Sequence, residues 1–106
     1  MANKIKNISG YIYCLYNPMF NYYGNNVYKL GQTANIKTRL NSYVTSYIDK
    51  PEYLLVSKLL INKKLAEDLL FVELDNYRIC SNREFFKCDI NIIKNAFELV
   101  ESIYLL

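Results

Sequence analysis

The chain has 106 residues, of which 52% are hydrophobic and 22% are charged, and its formal net charge is +3. This length predicts a single domain over residues 1–106, and the composition is typical of a soluble globular protein, which excludes a disordered chain. No apolar run approaches the roughly 18 residues that a membrane helix needs, and the N-terminus has no secretory h-region, so we expect no membrane partner.

Three strands are predicted from aromatic and β-branched runs that turn residues interrupt. They are expected over residues 8–16, 27–30 and 52–60, with a hairpin loop over residues 17–26 and a further short extended piece at residues 84–86. Gly31 is expected to end the second strand.

Three helices are predicted from apolar residues at helical spacing, each preceded by a capping side chain. The first follows Thr33 or Asn35 and must stop before Pro51, the second spans residues 63–77 after Asn62, and the third follows Asp89. The resulting order predicts an α/β fold of the α+β kind, with a small three-stranded antiparallel sheet flanked by about three helices.

The types of ionisable side chain restrict the chemistry. There is no histidine, which excludes a histidine-ligated zinc site, a Ser-His-Asp triad and a histidine general base. Any metal ion would need oxygen ligands, which favours Mg²⁺ or Mn²⁺. The three cysteines form no CxxC pair, and their odd number argues against a disulfide framework, so we expect a reduced, intracellular compartment.

Charge is unevenly distributed along the chain. Residues 1–64 contain nine Lys or Arg and two Asp or Glu, which gives +7, whereas residues 65–106 contain four and eight, which gives −4. This polarity predicts a basic face for a polyanion, the alternative being an ordinary charge-mixed surface. Abundant Asn, Ile, Lys and Tyr also resemble the coding bias of many large DNA viruses. A viral source would place the protein in the cytoplasm or nucleus of an infected host.

Two aromatic segments near the start form a recognisable pattern with a later arginine. Gly10-Tyr11-Ile12-Tyr13-Cys14-Leu15-Tyr16-Asn17-Pro18 precedes Tyr28-Lys29-Leu30-Gly31-Gln32-Thr33, and Arg39 lies eight residues after the glycine. The pattern resembles the GIY-YIG nuclease superfamily and, within it, the branch named for the phage T5 Orf172 DNA-binding domain. The resemblance runs from about Ser9 to the last helix, and it implies a GIY-YIG-like fold with DNA as the partner.

The resemblance implies four catalytic residues, which are Tyr13, Lys29, Arg39 and Glu67. Tyr13 matches the tyrosine of the first motif, and Arg39 matches a helix arginine that can hold two phosphate oxygens. Lys29 stands where the superfamily has its second tyrosine, although lysine is usual in the Orf172-like branch. Activation of water by Tyr13 or by Lys29 is left open, and so is a role for Lys29 as a charged phosphate ligand.

Glu67 matches the glutamate that holds the divalent ion in the family. Tyr77-Arg78 and Glu84-Phe85-Phe86 follow it at the spacing of the Orf172-like branch. One carboxylate with water and substrate phosphate is a normal magnesium shell, so the resemblance implies Mg²⁺ or Mn²⁺ as cofactor. Phe71 stands where the branch often has a histidine, and a contribution to proton transfer is therefore missing. Glu84 and the two phenylalanines are expected to be structural, with both rings in the core.

A second set of residues is expected to contact phosphate or DNA: Gly31, Gln32, Thr33, Lys37 and Arg39. Gly31 would permit the turn from strand to helix and a close approach of phosphate. The aromatic loop over residues 19–24 offers two alternatives. Its rings either stack on bases or pack back onto the sheet, and packing is slightly favoured.

The leading functional hypothesis is a divalent-metal-dependent DNA endonuclease that hydrolyses phosphodiester bonds. The alternative is a DNA-binding module on the same fold with weak or absent catalysis, because the residues at Lys29 and Phe71 depart from the superfamily pattern. A purely structural or protein-binding domain fits the basic first half less well. Superfamily nucleases usually gain specificity from an attached DNA-reading domain, so a second copy of the chain or a DNA-targeting protein is left open as a partner.

Overall fold

A computed structural model describes residues 8–80 and 83–106, and within them four strands form one antiparallel sheet. The strands are β1 (Tyr11–Tyr16), β2 (Val27–Thr33), β3 (Glu52–Val56) and β4 (Phe85–Lys87), in the order β3-β1-β2-β4. The predicted count of three strands is therefore wrong. The short extended piece predicted near residue 85 pairs with β2 and becomes the fourth strand.

Three α-helices of the described ranges lie against the sheet, namely α1 (Ile36–Ser46), α2 (Lys63–Glu73) and α3 (Ile90–Tyr104). Their predicted caps are confirmed, because the side chains of Asn35, Asn62 and Asp89 each accept a hydrogen bond from a backbone N–H in the first turn. The predicted end of the second helix is wrong, since α2 stops at Glu73 and a short 3₁₀-helix follows over Asp75–Tyr77. The α+β class is confirmed.

One face of the sheet carries the hydrophobic core. Side chains alternate along β1, so Ile12 and Cys14 point to one side and Tyr13 points to the other. Ile12 and Cys14 pack with Leu30 of β2 and with the inner sides of α2 and α3, including Leu70 and Ile93. None of the helices in the described ranges is long and apolar enough to cross a membrane.

The opposite face is covered by α1, and we call it the α1 face. It carries Tyr13, Lys29, Gly31 and Phe85, because Tyr13 lies opposite Gly31 across β1 and β2 while Lys29 lies opposite Phe85 across β2 and β4. Helix α1 has no buried residue. Helix α1 therefore packs on this face through side chains that are at most partly buried, while Tyr13 on the sheet is fully buried.

The hairpin loop between β1 and β2 contains a second 3₁₀-helix, Pro18–Tyr23. Asn17 begins it and is fully buried; its side chain accepts from the Met19 N–H at 2.9 Å and donates to the Asp49 carbonyl at 2.8 Å. Of the loop aromatics, Phe20 packs inward, which confirms part of the packing prediction, whereas Tyr22 and Tyr23 are exposed.

Candidate functional site

Two tyrosine hydroxyls and a guanidinium meet on the α1 face. The Tyr13 hydroxyl hydrogen-bonds the Tyr43 hydroxyl at 2.6 Å, and Arg39 Nη1 donates to the Tyr13 oxygen at 3.5 Å. Arg39 and Tyr43 are four residues apart on α1, so both side chains lie on the same side of the helix. The structure thus brings the predicted Tyr13 and Arg39 together and adds Tyr43.

Gly31 makes room for the Tyr13 ring. A Cβ atom at this position would overlap the ring and the hydroxyl of Tyr13. The prediction that Gly31 ends the strand is wrong, because β2 continues through Thr33 and Gly31 pairs with Tyr13 in mid-strand. The absence of a side chain at Gly31 therefore allows the Tyr13 ring to pack there, and no turn requires it.

The environment of Tyr13 keeps its hydroxyl neutral. The residue is 0% exposed, and its ring meets the rings of Tyr43 and Tyr53 edge-on. Burial is the main cause that raises the pKa of Tyr13 far above its ordinary value; the hydrogen bond with Tyr43 adds to this, and the Arg39 charge opposes it. A neutral hydroxyl can orient a neighbour by hydrogen bonding, but it is a poor base near pH 7.

Lys29 lies between an acidic and two aromatic groups. Its side chain is 18% exposed, and its Nζ is 3.6 Å from Glu84 Oε2. The same Nζ lies 5.1 Å from the ring centre of Phe85 and 5.7 Å from that of Tyr43. All three neighbours interact favourably with a positive charge.

Glu67 projects from α2 and is only 8% exposed. Its Oε1 lies 3.8 Å from Lys64 Nζ. Burial is the main cause that raises the pKa of the Glu67 carboxyl, and the charge of Glu84 raises it further, while Lys64 and Arg39 act in the opposite direction. Glu67 is thus coupled to Glu84 and Arg39 through their charges, whereas Tyr13 and Arg39 are in direct contact.

Glu67 offers one carboxylate, which is the type of ligand that a hard divalent cation binds. Within residues 8–80 and 83–106 no cluster of three or more His, Cys, Asp or Glu could hold a metal ion. Burial is the main cause that raises the pKa of Glu67, the charge of Glu84 adds to it, and a nearby cation would act in the opposite direction. Mg²⁺ commonly uses one or two carboxylates and takes its other ligands from water and phosphate.

The predicted phosphate contacts differ in their availability. The Thr33 hydroxyl donates to the Asn35 carbonyl and accepts from the Asn35 N–H, both at 3.1 Å, so it is engaged in the turn that begins α1. Strand alternation turns Gln32 to the face opposite Gly31. Lys37 is exposed on α1, as is Arg39. The two basic residues of α1 are therefore the most accessible members of this set.

Sequence reasoning missed two members of the site, Tyr43 and Glu84. Tyr43 had a usable signal, because a residue four positions after Arg39 lies beside it on a helix. Glu84 was expected to be structural, and its ion pair with Lys29 depends on the pairing of β4 with β2. Phe85 was wrongly expected in the core, since it lies half-buried on the α1 face against Phe20, at a ring-centre distance of 5.1 Å.

Phe71 and Phe86 contact each other and Arg78. Their ring centres are 5.2 Å apart, and the Arg78 guanidinium lies over both rings. The Arg78 Nε also donates to the Arg83 carbonyl at 2.7 Å. Phe86 is fully buried, as predicted. Phe71 therefore packs against Phe86 of β4 and against Arg78.

One family model matches the chain over residues 10–101, and its description is T5orf172 domain. No curated protein and no solved structure matches the chain.

Proposed function

The chain belongs to the T5orf172 domain family, and from this premise we propose that it is a divalent-metal-dependent DNA endonuclease domain of GIY-YIG type. The observation that carries the proposal is the contact of the Arg39 guanidinium with the paired hydroxyls of Tyr13 and Tyr43. Hydrolysis of a phosphodiester needs a positive group beside the phosphate and polar groups that orient the attacking water. This contact supplies both on one face of the sheet.

Arg39 would bind the scissile phosphate. It is exposed on α1 and keeps its charge at any physiological pH, and its fork of N–H donors can hold two phosphate oxygens as charge grows in the transition state. Lys29 would add a second positive charge from the sheet, and its ion pair with Glu84 would fix the position of the ammonium group.

Tyr43 would orient the attacking water. It is half-buried, whereas Tyr13 is fully buried, so of the two tyrosines only Tyr43 has surface in contact with solvent. Tyr13 would fix the direction of the Tyr43 hydroxyl through their 2.6 Å hydrogen bond. Water would then form a bond to phosphorus while the bond from phosphorus to the leaving oxygen breaks.

Glu67 would hold the divalent ion, with Glu84 near enough to contribute charge. A bound Mg²⁺ or Mn²⁺ supplies Lewis acidity and lowers the pKa of a coordinated water. This would remove the need for a strong side-chain base, which neither the neutral Tyr13 nor the ion-paired Lys29 provides.

The test is nicking of supercoiled plasmid with Mg²⁺, with Mn²⁺ and with EDTA. We expect metal-dependent cleavage by the wild type, and a loss of about 10²–10³ in rate for Arg39→Ala, Glu67→Ala and Tyr43→Phe. Asp68→Asn is the matched control, because Asp68 neighbours Glu67 on α2 but pairs with Lys64 at 2.8 Å on the surface. Cleavage that survives in Arg39→Ala would contradict the assignment.

The second candidate is a DNA-binding module without catalysis. The observation that favours it is the same absence of a side-chain base in the described site, since burial keeps Tyr13 neutral and Glu84 pairs with Lys29. A wild-type protein that binds DNA but cuts nothing across both metals would establish this alternative. Loss of binding in Arg39→Ala together with Lys37→Ala would then identify the binding surface.

A further inference from the structure

An open groove of about 650 Å³ lies beside the candidate site, and we call it the aromatic groove. Its walls are mostly rings, with a cation at the rim, and include Phe20, Tyr22, Tyr23, Tyr47, Phe85 and Arg83. Sites for small aromatic ligands typically have volumes of about 300–1,000 Å³ and the same mixture of apolar walls and few polar groups. The groove is large enough for more than one planar ring.

The aromatic groove is continuous with the site on the α1 face. The Tyr47 ring in the groove stacks on the Tyr43 ring, with centroids 5.8 Å apart and planes within 10°. On the other wall, the Phe85 ring contacts the groove residue Phe20 and also faces the Lys29 ammonium. Tyr43 and Lys29 thus separate the groove from Tyr13, and a ligand could occupy both places at once.

Two rings of the groove face solvent. Tyr22 is 87% and Tyr23 is 63% exposed, and their centroids are 5.0 Å apart at an angle of 81°. The Asn17 cap and the burial of Phe20 fix the 3₁₀-helix that carries them. Large rings held in the open on an anchored segment are a typical platform for stacking with planar ligands.

Charge distinguishes a nucleic acid from an apolar peptide as the occupant. Arg83 lines the groove, and Lys29 and Arg39 lie beyond its inner wall. Planar rings combined with a positive rim suit bases that are joined by phosphates. An apolar peptide would offer no anion to Arg83 or Arg39.

We propose that the aromatic groove binds unstacked bases of a single strand next to the phosphate that Arg39 holds; this rests on the proposed nuclease function and specifies its substrate class. Bases inside a duplex are stacked on each other and cannot reach the rings. The substrate is therefore DNA with unpaired nucleotides beside the scissile bond, such as a single strand or the border between single and double strand.

The experiment measures fluorescence anisotropy of a labelled oligodeoxythymidine and of a labelled duplex with the same number of phosphates, in EDTA and at constant salt. We expect the wild type to bind the single strand more tightly. The double substitution Tyr22→Ala with Tyr23→Ala should weaken single-strand binding about 5- to 150-fold per stacked base and change duplex binding little. Tyr22→Phe with Tyr23→Phe keeps the rings and should bind as the wild type does.

Leu99→Ala with Ile103→Ala is the matched control, because both side chains are exposed apolar residues of α3 outside the groove. Thermal melts check that every variant folds. Equal affinity of the wild type for both DNAs, or unchanged single-strand binding by the alanine pair, would overturn the proposal. So would an apolar, phenylalanine-rich peptide that binds the wild type and not the alanine pair while oligonucleotide binding stays the same.

Binding in EDTA is independent of cleavage, so the two proposals can fail separately. Ring-dependent preference for single strands without metal-dependent nicking would remove the nuclease proposal alone. Nicking that proceeds equally in the wild type and in the alanine pair, with equal binding of both DNAs, would remove the groove proposal alone.

Discussion

At the scale of single residues, the space above Gly31 decides where the Tyr13 hydroxyl lies. The Tyr13 ring is fully buried, contacts the rings of Tyr43 and Tyr53 edge-on, and lies over the glycine. The position of the ring in turn places its hydroxyl against Tyr43 and Arg39. A side chain at position 31 would therefore disturb the packing of the Tyr13 ring and move its hydroxyl away from Tyr43 and Arg39.

We predict that Gly31→Ala lowers the free energy of unfolding by about 1–3 kcal/mol, because the new methyl group overpacks the Tyr13 ring. Chemical denaturation measures the change. Combining it with Tyr13→Leu should cost less than the sum of the two single changes, by about 0.5–3 kcal/mol, since the clash is then relieved. Additive effects would show that the two residues do not constrain each other.

A second prediction concerns the stability of Glu67 variants. The folded state raises the pKa of Glu67 above its ordinary value of 4.5, so the folded protein binds more protons than the unfolded chain as pH rises from that value. Its contribution to stability is therefore present at low pH and lost as the pH passes through the folded pKa. We expect Glu67→Gln to have a higher Tm than the wild type at pH 7, and the difference to vanish below about pH 4.

Melts of the wild type, Glu67→Gln and Asp68→Asn across this pH range provide the measurement. Asp68→Asn should show a smaller gain, because Asp68 is exposed and pairs with Lys64, and its charge is only a minor cause of the raised pKa of Glu67. If Glu67 also holds the ion, Mg²⁺ should raise the Tm of the wild type and not that of Glu67→Gln. A Glu67→Gln variant that is less stable than the wild type at pH 7 would contradict the effect of burial.

The sequence predicted part of the site because some signals are local. The motifs around Tyr13 and Gly31 and the later Arg39 carry the family resemblance that implied a shared site, and the structure brings the two side chains together. Glu84 could not be assigned in this way, since its contact with Lys29 depends on a strand pairing between residues far apart in the chain. Local spacing also gave no information on the burial that keeps Tyr13 neutral.

At the scale of elements, the starts of the helices were predictable from the sequence, whereas a short strand and the end of a helix were not. An asparagine or aspartate before an apolar periodic run marks a cap, and all three α-helices begin at such a residue. Strand β4 has three residues, which is too few to show alternation. Helix α2 ends at Glu73 and a 3₁₀ turn follows, although Leu74 and Tyr77 continue its apolar spacing.

Asn17 connects the hairpin loop to the segment that precedes β3. We predict that Asn17→Ala lowers the free energy of unfolding by about 1–3 kcal/mol. The change would leave the Met19 N–H and the Asp49 carbonyl without their buried partner. Asn25→Ala, an exposed change in the same loop, is the control. Equal denaturation midpoints for the two variants would show that the buried amide does not fasten the loop.

At the scale of the whole molecule, the charge asymmetry predicts how DNA binding responds to salt. Counterion release makes log affinity fall by about 0.9 per unit of log salt for each phosphate neutralised. Lys37 and Arg39 are exposed in the basic first half, so replacing either by alanine should reduce the slope by about 0.9. Lys94→Ala on α3 is the control, and an equal reduction there would indicate diffuse attraction.

The weak attachment of α1 has a consequence for motion. The helix carries Arg39 and Tyr43 but buries none of its residues, so few apolar contacts oppose its local unfolding. Its amide protons should exchange with deuterium far sooner than those of α3, whose inner side is buried. Helix α1 would then open without unfolding the sheet. If Arg39 binds phosphate as proposed, bound DNA should slow exchange in α1 selectively. A site assembled in this way can admit a strand from the side and close on it by reforming one helix.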